Sequence, residues 1–139
     1  MREIKFRAWD KDRKEMVYDL PVIIFCDKAI WPHDLSWFHN SQQWTEDEGL
    51  ITNYDLLQYT GLKDSKGVEI YEEDIVKIPE GYGGDMLYKP FIGRIKYDAP
   101  EFYVNQQDNI IKTSKWCGQE YDWDKIEVIG NIYENPSLL

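Results

Sequence analysis

Both histidines of the chain, His33 and His39, bracket Asp34, with Cys26 a few residues upstream, and these residue types can ligate a metal ion. The H-x5-H spacing fits neither one helical face at i, i+4 nor a usual zinc set, so ordinary loop histidines are the better reading and no metal is assigned. Asp122 and Asp124 stand two apart around Trp123, with Glu120 and Glu127 near in sequence. On a strand the two aspartates would face one side, as a shared cation or an acid–base pair requires. A solvated acidic edge that discourages sheet-to-sheet pairing accounts for the same pattern. Glu72-Glu73-Asp74 reads as a tight corner in which Asp74 holds nearby backbone amides rather than as a catalytic group. Gly81-Tyr82-Gly83-Gly84 lacks the Lys-Ser/Thr and the helix that a phosphate-binding loop needs. No catalytic residue and no cofactor is expected from these patterns.

The aromatic residues are the stronger signal. Six Trp and ten Tyr exceed what a small barrel core can hide, and both types favour interfaces where one edge stays wet. Trp31, Trp37, Trp44, Trp116 and Trp123 are therefore the candidates for protein binding or self-association, against the plainer reading that they cap the barrel ends.

The elements that would position these residues are short strands. Ile4, Phe6 and Ala8 alternate with Lys5, Arg7 and Trp9, which predicts a strand with one buried face. Asp10 to Lys14 is a polar turn, and Glu15 to Tyr18 is the returning arm of a hairpin. Residues 19 to 52 hold Val22-Ile23-Ile24-Phe25, three tryptophans and an acidic cluster at Glu46-Asp47-Glu48. No period holds throughout, so the segment reads as an irregular insertion with one or two short strands. Asn53-Tyr54-Asp55 reads as a short turn. Tyr59–Leu62 and Val68–Tyr71 then flank Asp64-Ser65-Lys66-Gly67, a hairpin whose Asp opens the turn and whose Gly supplies a positive φ.

Ile75 to Ile78 is rich in β-branched residues and is stopped by Pro79. Glu80 to Pro90 reads as a flexible loop. A hairpin of Ile92–Tyr97 and Glu101–Val104, a strand within Asp108–Trp116, and an alternating segment from Lys125 to Tyr133 complete the chain. So many short strands with Gly and Pro punctuation predict a mainly β protein with a small, partly open antiparallel barrel. The division expected is residues 1–52, a hairpin and insertion, and residues 53–139, the barrel.

With 139 residues, 42% of them hydrophobic, the chain is long enough to bury a core without staples. No apolar run approaches the length needed to cross a bilayer, and the N-terminus lacks the apolar core of a signal peptide, so a cytosolic protein without a membrane partner is expected. Cys26 and Cys117 are far apart and in no metal-binding spacing, as expected of two small buried hydrophobes in a reducing compartment. The net charge of −10 opposes a grip on duplex phosphates. The charge is unevenly spread: residues 1 to 18 hold six of the 16 basic groups and four of the 26 acidic ones. That asymmetry suits solubility and head-to-tail self-association.

Four blocks carry a resemblance: Ile4-Lys5-Phe6-Arg7-Ala8-Trp9-Asp10, Leu57-Gln58-Tyr59-Thr60-Gly61-Leu62-Lys63-Asp64, Gly67-Val68-Glu69-Ile70-Tyr71-Glu72-Glu73-Asp74-Ile75-Val76 and Val128-Ile129-Gly130-Asn131-Ile132-Tyr133-Glu134-Asn135-Pro136. In this order they resemble the YopX family. The resemblance implies a protein of bacteriophages and prophages with an SH3-type barrel in its C-terminal part, and it brings no activity onto particular residues. One position departs from the pattern: Glu73 stands where the family often has Gly, so a positive φ there would cost strain.

The function expected is that of a non-enzymatic accessory protein, homo-oligomeric and acting on a host or phage protein. An alternative is a barrel that stacks single-stranded nucleic acid, for which Arg2, Lys5, Arg7, Arg13, Lys14, Arg94 and Lys96 would have to gather on one face. A variant of it is an acidic surface that mimics nucleic acid. An enzyme would need a pocket lined by two carboxylates with raised pKa values.

Overall fold

A computed structural model describes residues 3–18, 20, 22–24, 29–31, 51–83, 86–98, 101–106, 109–112 and 125–139. It divides into two compact units, Ile4–Gln58 and Tyr59–Leu139 with Met1–Glu3. The described elements are almost all strands, as the sequence predicts.

In the first unit, β1 (Phe6–Asp10) pairs antiparallel with β2 (Glu15–Val17), with Ala8 opposite Val17 and Asp10 opposite Glu15. β3 (Val22–Ile24) and β4 (Ala29–Trp31) form a separate hairpin inside the expected insertion. β5 (Tyr54–Lys63) begins in this unit, where Ala8 faces Leu56 and Asp10 faces Tyr54. These registers put Ala8, Val17, Tyr54 and Leu56 on one side, and they pack with Ile51 and Leu20 into a small core.

Two expectations for this region are corrected. Asn53-Tyr54-Asp55 is no turn: Tyr54 starts β5, and Asp55 lies in the ladder opposite Trp9. Nor does β1 bury only one face. Arg7 is 4% exposed although it lies on the face opposite Ala8, while Ile4 is 71% exposed. Alternation of charged and apolar residues misreads this strand because a guanidinium can be buried on its long apolar stem, here with its charge 6.0 Å from the Tyr18 ring centre.

β5 continues into the second unit, where it pairs with β6 (Glu69–Tyr71), and the sheet order is β2-β1-β5-β6. The register shifts between Tyr59 and Lys63, at Gly61, whose φ of 86° permits the bulge. Thr60 stabilises the irregular stretch by donating from Oγ1 to the Ile70 carbonyl at 2.8 Å while accepting from the Leu62 amide.

A five-stranded antiparallel sheet forms the rest, in the order β12-β11-β10-β7-β13. Its strands are β7 (Asp74–Ile78), β10 (Phe91–Asp98), β11 (Glu101–Gln106), β12 (Asn109–Lys112) and β13 (Glu127–Asn131). Cross-strand pairs Phe91↔Ile78, Gly93↔Val76, Ile95↔Val104 and Val128↔Val76 put one face inward. That face joins Ile70, Phe102 and Ile126 in the larger core, with Leu62 packed on its margin. Each buried Ile or Val there contributes about 1.5–3 kcal/mol through removal of apolar surface from water. Gly93 leaves room for this packing, since a Cβ on it would lie 2.5 Å from Val104 Cγ1.

The expected loop at Glu80–Pro90 is also corrected: β8 (Gly81–Gly83) and β9 (Met86–Tyr88) form a two-stranded hairpin. Glycine punctuation signals a turn, but Gly81 and Gly83 lie within the ladder, opposite Tyr88 and Met86. A 3-10 turn, Pro136–Leu138, follows β13.

Candidate functional site

Three aspartates are buried among the described residues, Asp10, Asp64 and Asp74. All three accept hydrogen bonds from backbone amides near turns. Asp10 ends β1, and its Oδ1 accepts from Asp12 N at 2.9 Å and Arg13 N at 3.0 Å, while its carbonyl accepts from Lys14 N. Lys14 closes this turn at φ 58°, in the left-handed region.

Asp64 follows β5. Its Oδ1 accepts from Lys66 N and Val68 N, both at 2.8 Å, and its Oδ2 accepts from Val128 N at 3.1 Å. Beside it, Ser65 N donates to the Ile126 carbonyl at 2.9 Å, so the turn is knit to the chain that leads into β13. Gly67 supplies the left-handed φ of 83° that the sequence predicts for it. Burial alone would raise the Asp64 pKa, but the amides of Val128, Val68 and Lys66, with the Lys66 charge, outweigh it and hold the group below the ordinary aspartate value. Such a carboxylate stays ionised and is a poor proton donor.

The corner Glu72-Glu73-Asp74 is the turn expected. Asp74 Oδ2 accepts from Tyr71 N at 2.8 Å, and Glu73 adopts φ 67°. The strain anticipated for a non-glycine residue there is present, and Glu73 is bonded at both its backbone and its side chain. Its amide donates to the Ile95 carbonyl, its carbonyl accepts from Ile132 N at 3.1 Å, and its carboxylate takes Arg94 Nε. That bond to Glu73 raises the Arg94 pKa, so the guanidinium stays charged.

Several of the sequence candidates can be placed. Glu127 is ion-paired with Lys66, and that pair raises the lysine's pKa. Trp31 belongs to β4 by its backbone. The side chain of Trp31 and all of Trp37, Trp44, Trp116, Trp123, Cys26, His33, Asp34, His39, Cys117, Glu120, Asp122 and Asp124 lie outside the described residues. Among the described residues no group of three or more His, Cys, Asp or Glu side chains could hold a metal ion. No helix among them is long and apolar enough to cross a membrane.

The cations named for a nucleic-acid strip divide between the units. Arg7 is buried, and Arg13 lies 3.6 Å from the Asp10 carboxylate. Arg94 and Lys96 lie two apart on β10, hence on one face. What sequence reasoning misses is the reach of Asp64 to Val128 and of Glu73 to Arg94. The Asp of a D-S-K-G turn marks the first, but nothing local marks its partner.

The fold is that of a mainly β protein with antiparallel sheets whose buried carboxylates hold its turns. In sequence, residues 5–139 match the profile of the YopX protein family, and the chain belongs to that family. No curated protein matches it. Its structure is similar to the crystal structure of protein EF1440 from Enterococcus faecalis, with a TM-score of 0.61 and 30% sequence identity over 100% of this chain and 99% of that one.

Proposed function

We propose that this is a non-enzymatic accessory protein of phage or prophage origin that works through contacts with other proteins and with copies of itself. The observation that carries the reading is the use made of the buried aspartates. Asp10, Asp64 and Asp74 are the groups a desolvated acid–base site would draw on, and each is bonded to backbone amides at a turn. The fold thereby presents rigid turns rather than mobile proton donors.

The surface adds apolar contact area. Tyr18, Val68 and Tyr97 are each about half exposed, and the Tyr97 ring lies tilted against Phe102 with centroids 4.9 Å apart. The basic β1–β2 turn contributes less to association than its charge promises, because Lys11 is paired with Asp55 at 2.6 Å and Arg13 with Asp10. In this reading residues 53–139 are an SH3-like barrel that serves as platform, and residues 1–52 with Trp31, Trp37 and Trp44 supply the contact surface, joined by Trp116 and Trp123. The partner is a protein of the bacterial host or of the phage itself.

Affinity capture from bacterial lysate tests this, with wild type beside the folded Trp31→Ala, Trp37→Ala, Trp44→Ala variant. A defined protein retained by the first and lost by the second supports the reading; equal retention by both removes these tryptophans from it. Light scattering that reports a monomer at every micromolar concentration removes self-association.

A further inference from the structure

The outward face of the β10–β11 pair carries cations around a tyrosine. Register decides which side chains face out. Ile95↔Val104 and Tyr97↔Phe102 share the core side, so Arg94, Lys96, Tyr103 and Asn105 share the other, with Asp98 and Glu101 at its turn end. Lys96 stands directly opposite Tyr103, and Lys112 of β12 stands opposite Tyr103 on its other side. On the flanking strand Lys77, which is exposed, is opposite Ile92 on this same outward side. Arg94 is held on this face by its bond to the Glu73 carboxylate.

We propose that this face binds single-stranded nucleic acid, with Tyr103 as the ring on which a base stacks and Lys96 as its neighbouring phosphate contact. The chain as a whole carries −10, yet residues 92–97 and 102–106 contain two cations and no carboxylate. The acids that adjoin the patch are Asp98 and Glu101, opposite each other at the β10–β11 turn, Glu73 on Arg94, and Glu127 opposite Lys77. A duplex binder must neutralise many phosphates, which the overall charge opposes. A single strand needs only a π-face and a few flanking cations, because stacking supplies affinity that does not depend on net charge. Tyr103 is half-buried between its cross-strand neighbours Lys96 and Lys112, so fewer rotamers remain to be ordered on binding.

The test is fluorescence anisotropy of a labelled thymidine oligonucleotide of about 20 residues at roughly 50 mM salt. Tyr103→Ala and Lys96→Glu are compared with wild type and with Lys14→Glu in the other unit, after circular dichroism has shown each variant folded. The result expected is saturable binding that weakens steeply with salt, falls about tenfold in each of the two patch variants, and is unchanged in Lys14→Glu. Tyr103→Phe keeps the ring and retains binding; with Lys96→Glu it carries the test if Tyr103→Ala does not fold. No binding by the wild type at this salt, or equal binding by wild type, Tyr103→Ala and Lys96→Glu, overturns the proposal.

Discussion

Two turns in this molecule use the same local device and differ in what the device is attached to. At Asp10–Glu15 and at Asp64–Val68 an aspartate follows or ends a strand, and one carboxylate oxygen accepts two amides a few residues ahead. A left-handed residue completes each turn, Lys14 in the first and Gly67 in the second. The first turn is tied outward by the Lys11 amide on the Asn53 carbonyl and by the Asn53 side chain on Asp12, the latter an exposed contact. The second is tied through the Asp64 carboxylate itself to Val128, far along the chain. One turn shapes a hairpin, and the other also ties the β5–β6 connection to the start of β13.

The sharpest way to break the comparison is to remove the two carboxylates in turn. Asp64→Ala leaves the Lys66, Val68 and Val128 amides without their acceptor and is expected to cost about 3–4 kcal/mol in urea unfolding. Asp10→Ala removes two such bonds and no long-range one, and should cost about 1–2 kcal/mol. Equal losses would mean that the long-range bond to Val128 adds nothing.

Acid titration sharpens the same contrast. Because the folded pKa of Asp64 lies below the ordinary value of 3.8, the stability it contributes is whole above that value and is lost as pH falls through the folded one. Wild type should therefore lose stability below about pH 4, and Asp64→Asn, already less stable at neutral pH, should lose less over the same interval. Parallel acid limbs for the two proteins would remove Asp64 as the linked group.

The left-handed residues should respond with opposite signs. Nothing lies within 4 Å of a Cβ built on Gly67, so Gly67→Ala tests conformation alone and should destabilise by about 1 kcal/mol. Lys14→Gly relieves a non-glycine residue at φ 58° and should stabilise by up to about 1 kcal/mol. The smallest effect is expected at the Lys66–Glu127 pair, where the lysine side chain is 64% exposed. Lys66→Met should leave the thermal midpoint unchanged within error, since solvent and salt screen such a pair.

The same two turns mark how far the sequence could be read. Asp-Ser-Lys-Gly between two β-rich segments announces its hairpin, its αL glycine and its capping aspartate because all three are local properties of the chain. Asp10-Lys11-Asp12-Arg13-Lys14 was legible as a polar turn, but its αL residue was not, since Lys has no preference for that conformation and takes it only because the flanking strands demand it. Glu73 was legible only as a departure from a family pattern. Its tie to Arg94, 21 positions along the chain, was hidden, because it depends on the pairing of β7 with β10 and no local signal sets that pairing.

What the sequence determined by itself was the mainly β class, the D-S-K-G turn chemistry and the family, because β-branching, Gly and Asp act over a few residues, whereas the start of β5 at Tyr54 and the hairpin of β8 and β9 escaped it. Tertiary structure alone decided that Arg7 is buried, that Asp64 reaches Val128, and that Lys96 and Tyr103 stand side by side. Those facts depend on strand register, and register is set by which faces pack together, a property of the whole fold and of no single segment.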